Sequence, residues 1–201
     1  MIKKISRNRC YLLYPKFPST FNVSDQFTYP ELYENYILTT ASKSARGHAK
    51  NMAVALQQLI ENMKIPSLIF MGDTAAAWLS QENDYAPVKE AMDFLEANKT
   101  GKKFNGGLQI NTENLHLFIP HLFWLVRCNA ALPIFYLMNE EQTILANFCQ
   151  YGNLHFSALN KRADTLFNKQ LPQSGLTIFT GSYCYESFGK EGRVPGRGLK
   201  V

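Results

Sequence analysis

Four histidines, four cysteines and Asp73 are the side chains through which this 201-residue sequence could run acid–base, metal or nucleophilic chemistry. The histidines are His48, His116, His121 and His155. His116 and His121 are five residues apart, which is about 140° around a helix and opposite faces of a strand. Neither arrangement chelates an ion. No H-E-x-x-H occurs, and Cys10, Cys128, Cys149 and Cys184 include no C-x-x-C and no Cys/His pairing at zinc-finger spacing. The sequence predicts no metal site and no cofactor. His48 is the candidate general acid–base, with Lys43 or Arg46 available to steady a phosphate. Asp73 is the candidate acid. It follows the apolar run Ser67–Met71, at the carboxyl end of an expected strand where α/β ligand sites collect. With no second acid at a matching spacing, a helix-capping role explains it more simply.

Phosphate chemistry has stronger compositional support than catalysis. The stretch Thr39–Lys50 places four hydroxyls, Lys43, Arg46, Lys50 and His48 around a helix start. Unpaired backbone N–H groups favour an anion there, and the helix dipole disfavours clustered cations unless an anion is present. Lys99, Lys102 and Lys103 form a second basic loop. Gly181–Lys190 lacks both the first glycine and the hydroxyl of a Walker A loop, since Cys184 and Glu191 occupy those positions. The segment from Phe188 onward carries Lys190, Arg193 and Arg197 among glycines, which let backbone approach a ligand closely. Tyr183, Tyr185 and Phe188 stand just upstream, where they could stack on bases. Over about fifteen residues this segment is loosely similar to the glycine-rich loop of CRISPR RNA-processing endonucleases, and the likeness does not extend to the rest of the chain.

The elements that must position these groups follow from periodicity. Met52, Leu56, Leu59, Ile60 and Met63 form one apolar stripe, predicting a helix over 42–63 that ends at Pro66. Ser67–Met71 reads as a buried strand and Thr74–Ser80 as a helix capped by Asp73 or Thr74. A further helix carries Val88, Ala91, Met92 and Leu95 and stops at Gly101. Residues 115–126 fit either a helix kinked at Pro120 or two strands. Ile134–Met138, Thr143–Phe148 and Leu154–Ala158, joined by short turns, predict an antiparallel meander. A short helix over 163–171 and a strand over 176–180 complete the reading. The fold class is α+β, with N-terminal helices packed on a mainly antiparallel sheet. Residues 1–201 form one domain, with an irregular N-terminal segment over 1–35 and a basic Gly-rich tail over 187–201.

Hydrophobic residues make up 46% of the chain, enough for a substantial core. The net charge of +5 resides in the first ten residues and the last fifteen, and the body between them is slightly acidic. Basic ends on a near-neutral body point to a polyanionic partner. Four cysteines could form two bridges, but a chain with this much core does not require them, so free thiols and a cytoplasmic location are expected. The most apolar stretch, 115–138, contains His116, Pro120, His121, Arg127 and Pro133, so no membrane span is expected. The leading expectation is a protein that binds nucleic acid or another phosphate-rich partner within a larger intracellular assembly. A small nuclease or phosphate-ester hydrolase using His48 is the alternative. A protein–protein adaptor or inhibitor is a third, given fourteen Phe, ten Tyr and two Trp.

Overall fold

The computed structural model describes residues 2–20, 27–80, 83–128, 133–181, 183–186 and 188. In chain order the elements are β1 (Ile2–Ile5), α1 (Arg7–Leu13), β2 (Ser19–Thr20), β3 (Phe27–Thr28), β4 (Glu34–Thr39), α2 (Ala45–Asn62), β5 (Ser67–Gly72), α3 (Ala86–Ala97), β6 (Gly107–Asn111), α4 (Leu115–Cys128), β7 (Phe135–Asn139), β8 (Ile144–Phe148), β9 (Leu154–Ala158), α5 (Lys161–Gln170) and β10 (Thr177–Ile178). Eight strands form one sheet in the order β1-β6-β5-β7-β8-β9-β4-β10, with every neighbouring pair antiparallel. The strands β2 and β3 pair separately. The class is α+β, as expected.

The middle of the sheet is covered on both faces, which explains why Ser67–Gly72 is buried along its whole length. Alternate strand residues face opposite ways. Leu68 and Phe70 therefore join Leu137 and Ala146 under the helices α2, α3, α4 and α5. Ile69, Met71, Tyr136 and Met138 face Cys10 of α1 together with Tyr14 and Phe17. Residues 2–13, read from sequence as part of an irregular segment, thus form an edge strand and a helix that closes the second face.

Two further differences have local causes. Residues 115–128 are a helix, because Leu115, Phe118, Ile119, Leu122 and Leu125 fall on one buried stripe. Pro120 removes one backbone hydrogen bond near the start of that helix, and the buried stripe outweighs it. Residues 74–80 are not helical. There Trp78 is drawn into the core, its backbone N–H on the Phe104 carbonyl (3.0 Å), its indole N–H on the Gly106 carbonyl (2.9 Å), and its ring stacked on Phe135 at 4.1 Å. Helix propensity loses to one large buried ring.

Gly106 shows how tightly β1 and β6 are joined. A Cβ at this position would stand 2.2 Å from the Ile5 carbonyl oxygen and 3.0 Å from the Arg7 nitrogen, both backbone atoms. Gly106→Ala is expected to cost about 1–3 kcal/mol by forcing the strands apart, read as a lower midpoint in urea unfolding. An unchanged midpoint would contradict this packing.

Candidate functional site

The start of α2 is built around His48. Ser44 caps the helix, its hydroxyl accepting the Gly47 N–H at 3.1 Å. His48 is fully buried and donates Nε2–H to the Gly152 carbonyl at 3.0 Å. Nδ1 makes no hydrogen bond of good geometry, the Thr40 carbonyl only favouring the charged ring. The ring lies 4.7 Å from Phe188 and 6.0 Å from Phe123, and burial pushes its pKa down. A general acid–base must reach its substrate, and this ring is walled in by aromatics. Phe188 is also buried and carries the Arg127 guanidinium 5.1 Å above its ring, so it is not free to stack on a base.

A short C-terminal segment is held at this place by several contacts. Arg127 and Glu186 form a buried ion pair, and Arg127 also donates to the Gln150 carbonyl at 3.1 Å. Asn153 donates to the Tyr185 carbonyl at 3.2 Å, and Ser42 bridges Phe188. The chain therefore enters residues 189–201 from beside the cationic helix start, where Lys43, Arg46 and Lys50 are all exposed. Arg46 reaches Glu90 at 3.8 Å, but both side chains are largely in water and the pair contributes little. Lys190, Arg193 and Arg197 lie outside the described residues.

Lys102 and Lys103 do not join this group. Their loop runs from α3 into β6, next to Lys4, whose ammonium donates to the Lys99 carbonyl at 2.6 Å. Between β6 and β4, which leads into α2, lie five strand steps, roughly 24 Å at about 4.8 Å each. Asp73 sits near that flank as a tether. Its carboxylate accepts the Ile134 N–H at 3.1 Å, and its carbonyl accepts from Arg7 at 3.1 Å. Burial raises its pKa. An open groove of about 1020 Å³ lies at the other end of the strands, between the α2 terminus, the β7–β8 turn and α5. Its charges are mixed, with Lys64, Lys161, Arg162 and Lys169 lining it beside Glu140 and Glu141.

One cluster escaped the linear reading. Cys149, His155 and Cys184 converge, with one ligand atom from each within 4.8 Å of the others, and all three are partly buried. The Cys184 sulfur lies 3.3 Å from His155 Nε2. Cys149 and His155 flank the β8–β9 turn, and Cys184 arrives from the C-terminal segment, so no spacing rule along the chain brings the three together. Burial raises the Cys149 thiol pKa and lowers that of His155.

Compared with protein-family models, curated proteins and solved structures, the chain finds no match. No helix among the described residues is long and apolar enough to cross a membrane.

The buried imidazoles set a pH dependence. His48, His121 and His155 all have pKa values lowered by burial from 6.5. The unfolded chain takes up these protons near pH 6.5 while the folded chain resists them. Their stabilisation is complete above that pH and is lost as pH falls below it. Asp73, raised by burial, acts in the opposite sense at lower pH. The urea midpoint is expected to fall between pH 7.5 and pH 5.5. A constant or rising midpoint would contradict the burial of these rings.

Proposed function

We propose that this protein binds nucleic acid or another phosphate-rich partner at the surface where α2 begins and the basic C-terminal segment departs, acting within a larger intracellular assembly. One observation carries the reading: the Ser42–Phe188 bridge seats the entry to Lys190, Arg193 and Arg197 beside Lys43, Arg46 and Lys50. Lys43, Arg46 and Lys50 are exposed, Lys190, Arg193 and Arg197 follow Phe188 in the sequence, and cations of this kind supply the sequence-independent attraction that phosphate backbones require. Tyr183 and Tyr185, 83% and 57% exposed, are the aromatic faces available for stacking beside them. Lys102 and Lys103 form, with Lys4, a separate basic flank, where Lys3 and Lys4 on the edge strand β1 also discourage strand-to-strand association. Four unpaired cysteines support a reducing, cytoplasmic compartment. The hydrolase reading loses its acid–base with the burial of His48. An adaptor role is favoured by one feature, the exposed pair Leu12 and Leu13 at the end of α1, 82% and 48% in water.

The test is binding of fluorescent single- and double-stranded RNA and DNA at low and high salt, by the full chain and by a form ending at Phe188. Phe188 is retained because it packs on His48. Binding that weakens with salt and drops on truncation is the expected result. No binding to any of the four at low salt would overturn the proposal and turn attention to protein partners of the α1 end.

A further inference from the structure

We infer that Cys149, His155 and Cys184 form a binding site for a thiophilic divalent cation, Zn²⁺ foremost, that staples the C-terminal segment to the β8–β9 turn. The donor set is the first argument. Two thiols and an imidazole select soft or borderline metals over Mg²⁺ or Ca²⁺. Spacing is the second. A tetrahedral ion with Zn–S near 2.3 Å and Zn–N near 2.0 Å sets its ligand atoms roughly 3.5–3.8 Å apart. The three donor atoms, one pair at 3.3 Å and all within 4.8 Å, reach that arrangement by shifts of about 1 Å or less.

The surroundings supply the third argument. Cys149 is held by a tightly wound turn, Gly152 taking a φ of +82° and donating its N–H to the Cys149 carbonyl at 2.9 Å, while the Cys149 N–H donates to the Asn153 carbonyl at 3.0 Å. His155 offers a ring nitrogen to the same point, its Nε2 lying 3.3 Å from the Cys184 sulfur. On binding, each thiol gives up its proton to solvent. One Zn²⁺, two thiolates and a neutral imidazole then carry no net charge, so a half-buried site accepts the ion without burying a charge. Three protein ligands leave the fourth position to water. Cys184 is separated from His155 by 29 residues, so the ion would link two parts of the chain already held together by Asn153–Tyr185 and Arg127–Glu186. The inference does not rest on the nucleic-acid reading.

The experiment is titration of the reduced full chain with Zn²⁺ and with Co²⁺, followed by metal content after desalting. Expected are one equivalent bound, thiolate-to-cobalt charge-transfer bands of two sulfurs, and visible bands of a tetrahedral ion. These spectra need no variant, so they remain informative if a substitution fails to fold. Cys149→Ser, His155→Gln and Cys184→Ser should each weaken binding by more than about 100-fold, since even outer-shell changes at metal sites cost 10–100-fold. Cys128→Ser, at the end of α4, should bind as the natural chain does. Chelation should speed proteolysis between 181 and 188. Absence of stoichiometric binding, octahedral cobalt spectra without sulfur bands, or binding indifferent to Cys149 and Cys184 would each overturn the inference. So would a Cys149–Cys184 disulfide in protein that takes up no metal after reduction.

Discussion

Arg127→Met is expected to destabilise the protein by up to about 3–5 kcal/mol, because it leaves the Glu186 carboxylate buried without its partner. The side chains of the pair are 6% and 9% exposed. Arg127 also covers the Phe188 ring and holds the Gln150 carbonyl, so its loss loosens the docking of residues 183–186 and 188. That segment can lift into water, which caps the loss at its own docking free energy. The expected signature is accelerated cleavage after Gly181 together with a lower unfolding midpoint. The double variant Arg127→Met with Glu186→Leu should recover much of the loss, since a buried ion pair exchanged for apolar groups is often neutral. A single variant as stable and as protease-resistant as the natural chain would show that the pair does not hold this segment.

Gly152→Ala should be comparably damaging, at about 2–4 kcal/mol from backbone strain and overpacking together. The residue sits at φ +82°, where an L side chain is strained. Its Cβ would stand 2.3 Å from the Phe123 ring and 3.1 Å from the His48 ring. Neither ring has room to retreat, Phe123 being 1% exposed and His48 0%. The same change would disturb the Cys149 turn, so a lower urea midpoint should be accompanied by weaker Co²⁺ binding. Natural stability with alanine present would mean that the turn adopts another conformation.

How much of this was legible in the sequence depended on how each element earns its stability. The α2 stripe of Met52, Leu56, Leu59 and Ile60 is locally periodic, and the helix formed within three residues of the expected limits at its start and one at its end. The strand Leu154–Ala158 formed as read, because short turns on both sides bound an apolar run. The strand β1, Ile-Lys-Lys-Ile, has only two apolar residues, and its pairing with Gln109 and Leu108 is decided by tertiary contact. The helix α1 is seven residues long with Cys10 alone buried, too little for a periodic signal. Thr74–Ser80 had the composition of a helix and was overruled by Trp78. At the candidate site, Lys43, Arg46 and Lys50 were legible as a charge cluster. Their proximity to Phe188 was not, because a bridge across 146 residues leaves no trace in local pattern. The Cys149–His155–Cys184 cluster was hidden for the same reason, its members being brought together by a turn and a docked segment.

The salt dependence of binding shows whether phosphates are engaged by the α2 start and the basic segment. The slope of log affinity against log salt counts phosphates neutralised, at about 0.9 per contact on duplex DNA and 0.7 on single strands. The measurement compares the natural chain with Lys43→Gln/Arg46→Gln/Lys50→Gln and with Lys102→Gln/Lys103→Gln. A shallower slope, by roughly two to three contacts, is expected for the first variant and an unchanged slope for the second. A slope reduced only by the Lys102 and Lys103 changes, or by neither, would contradict phosphate binding at the α2 start.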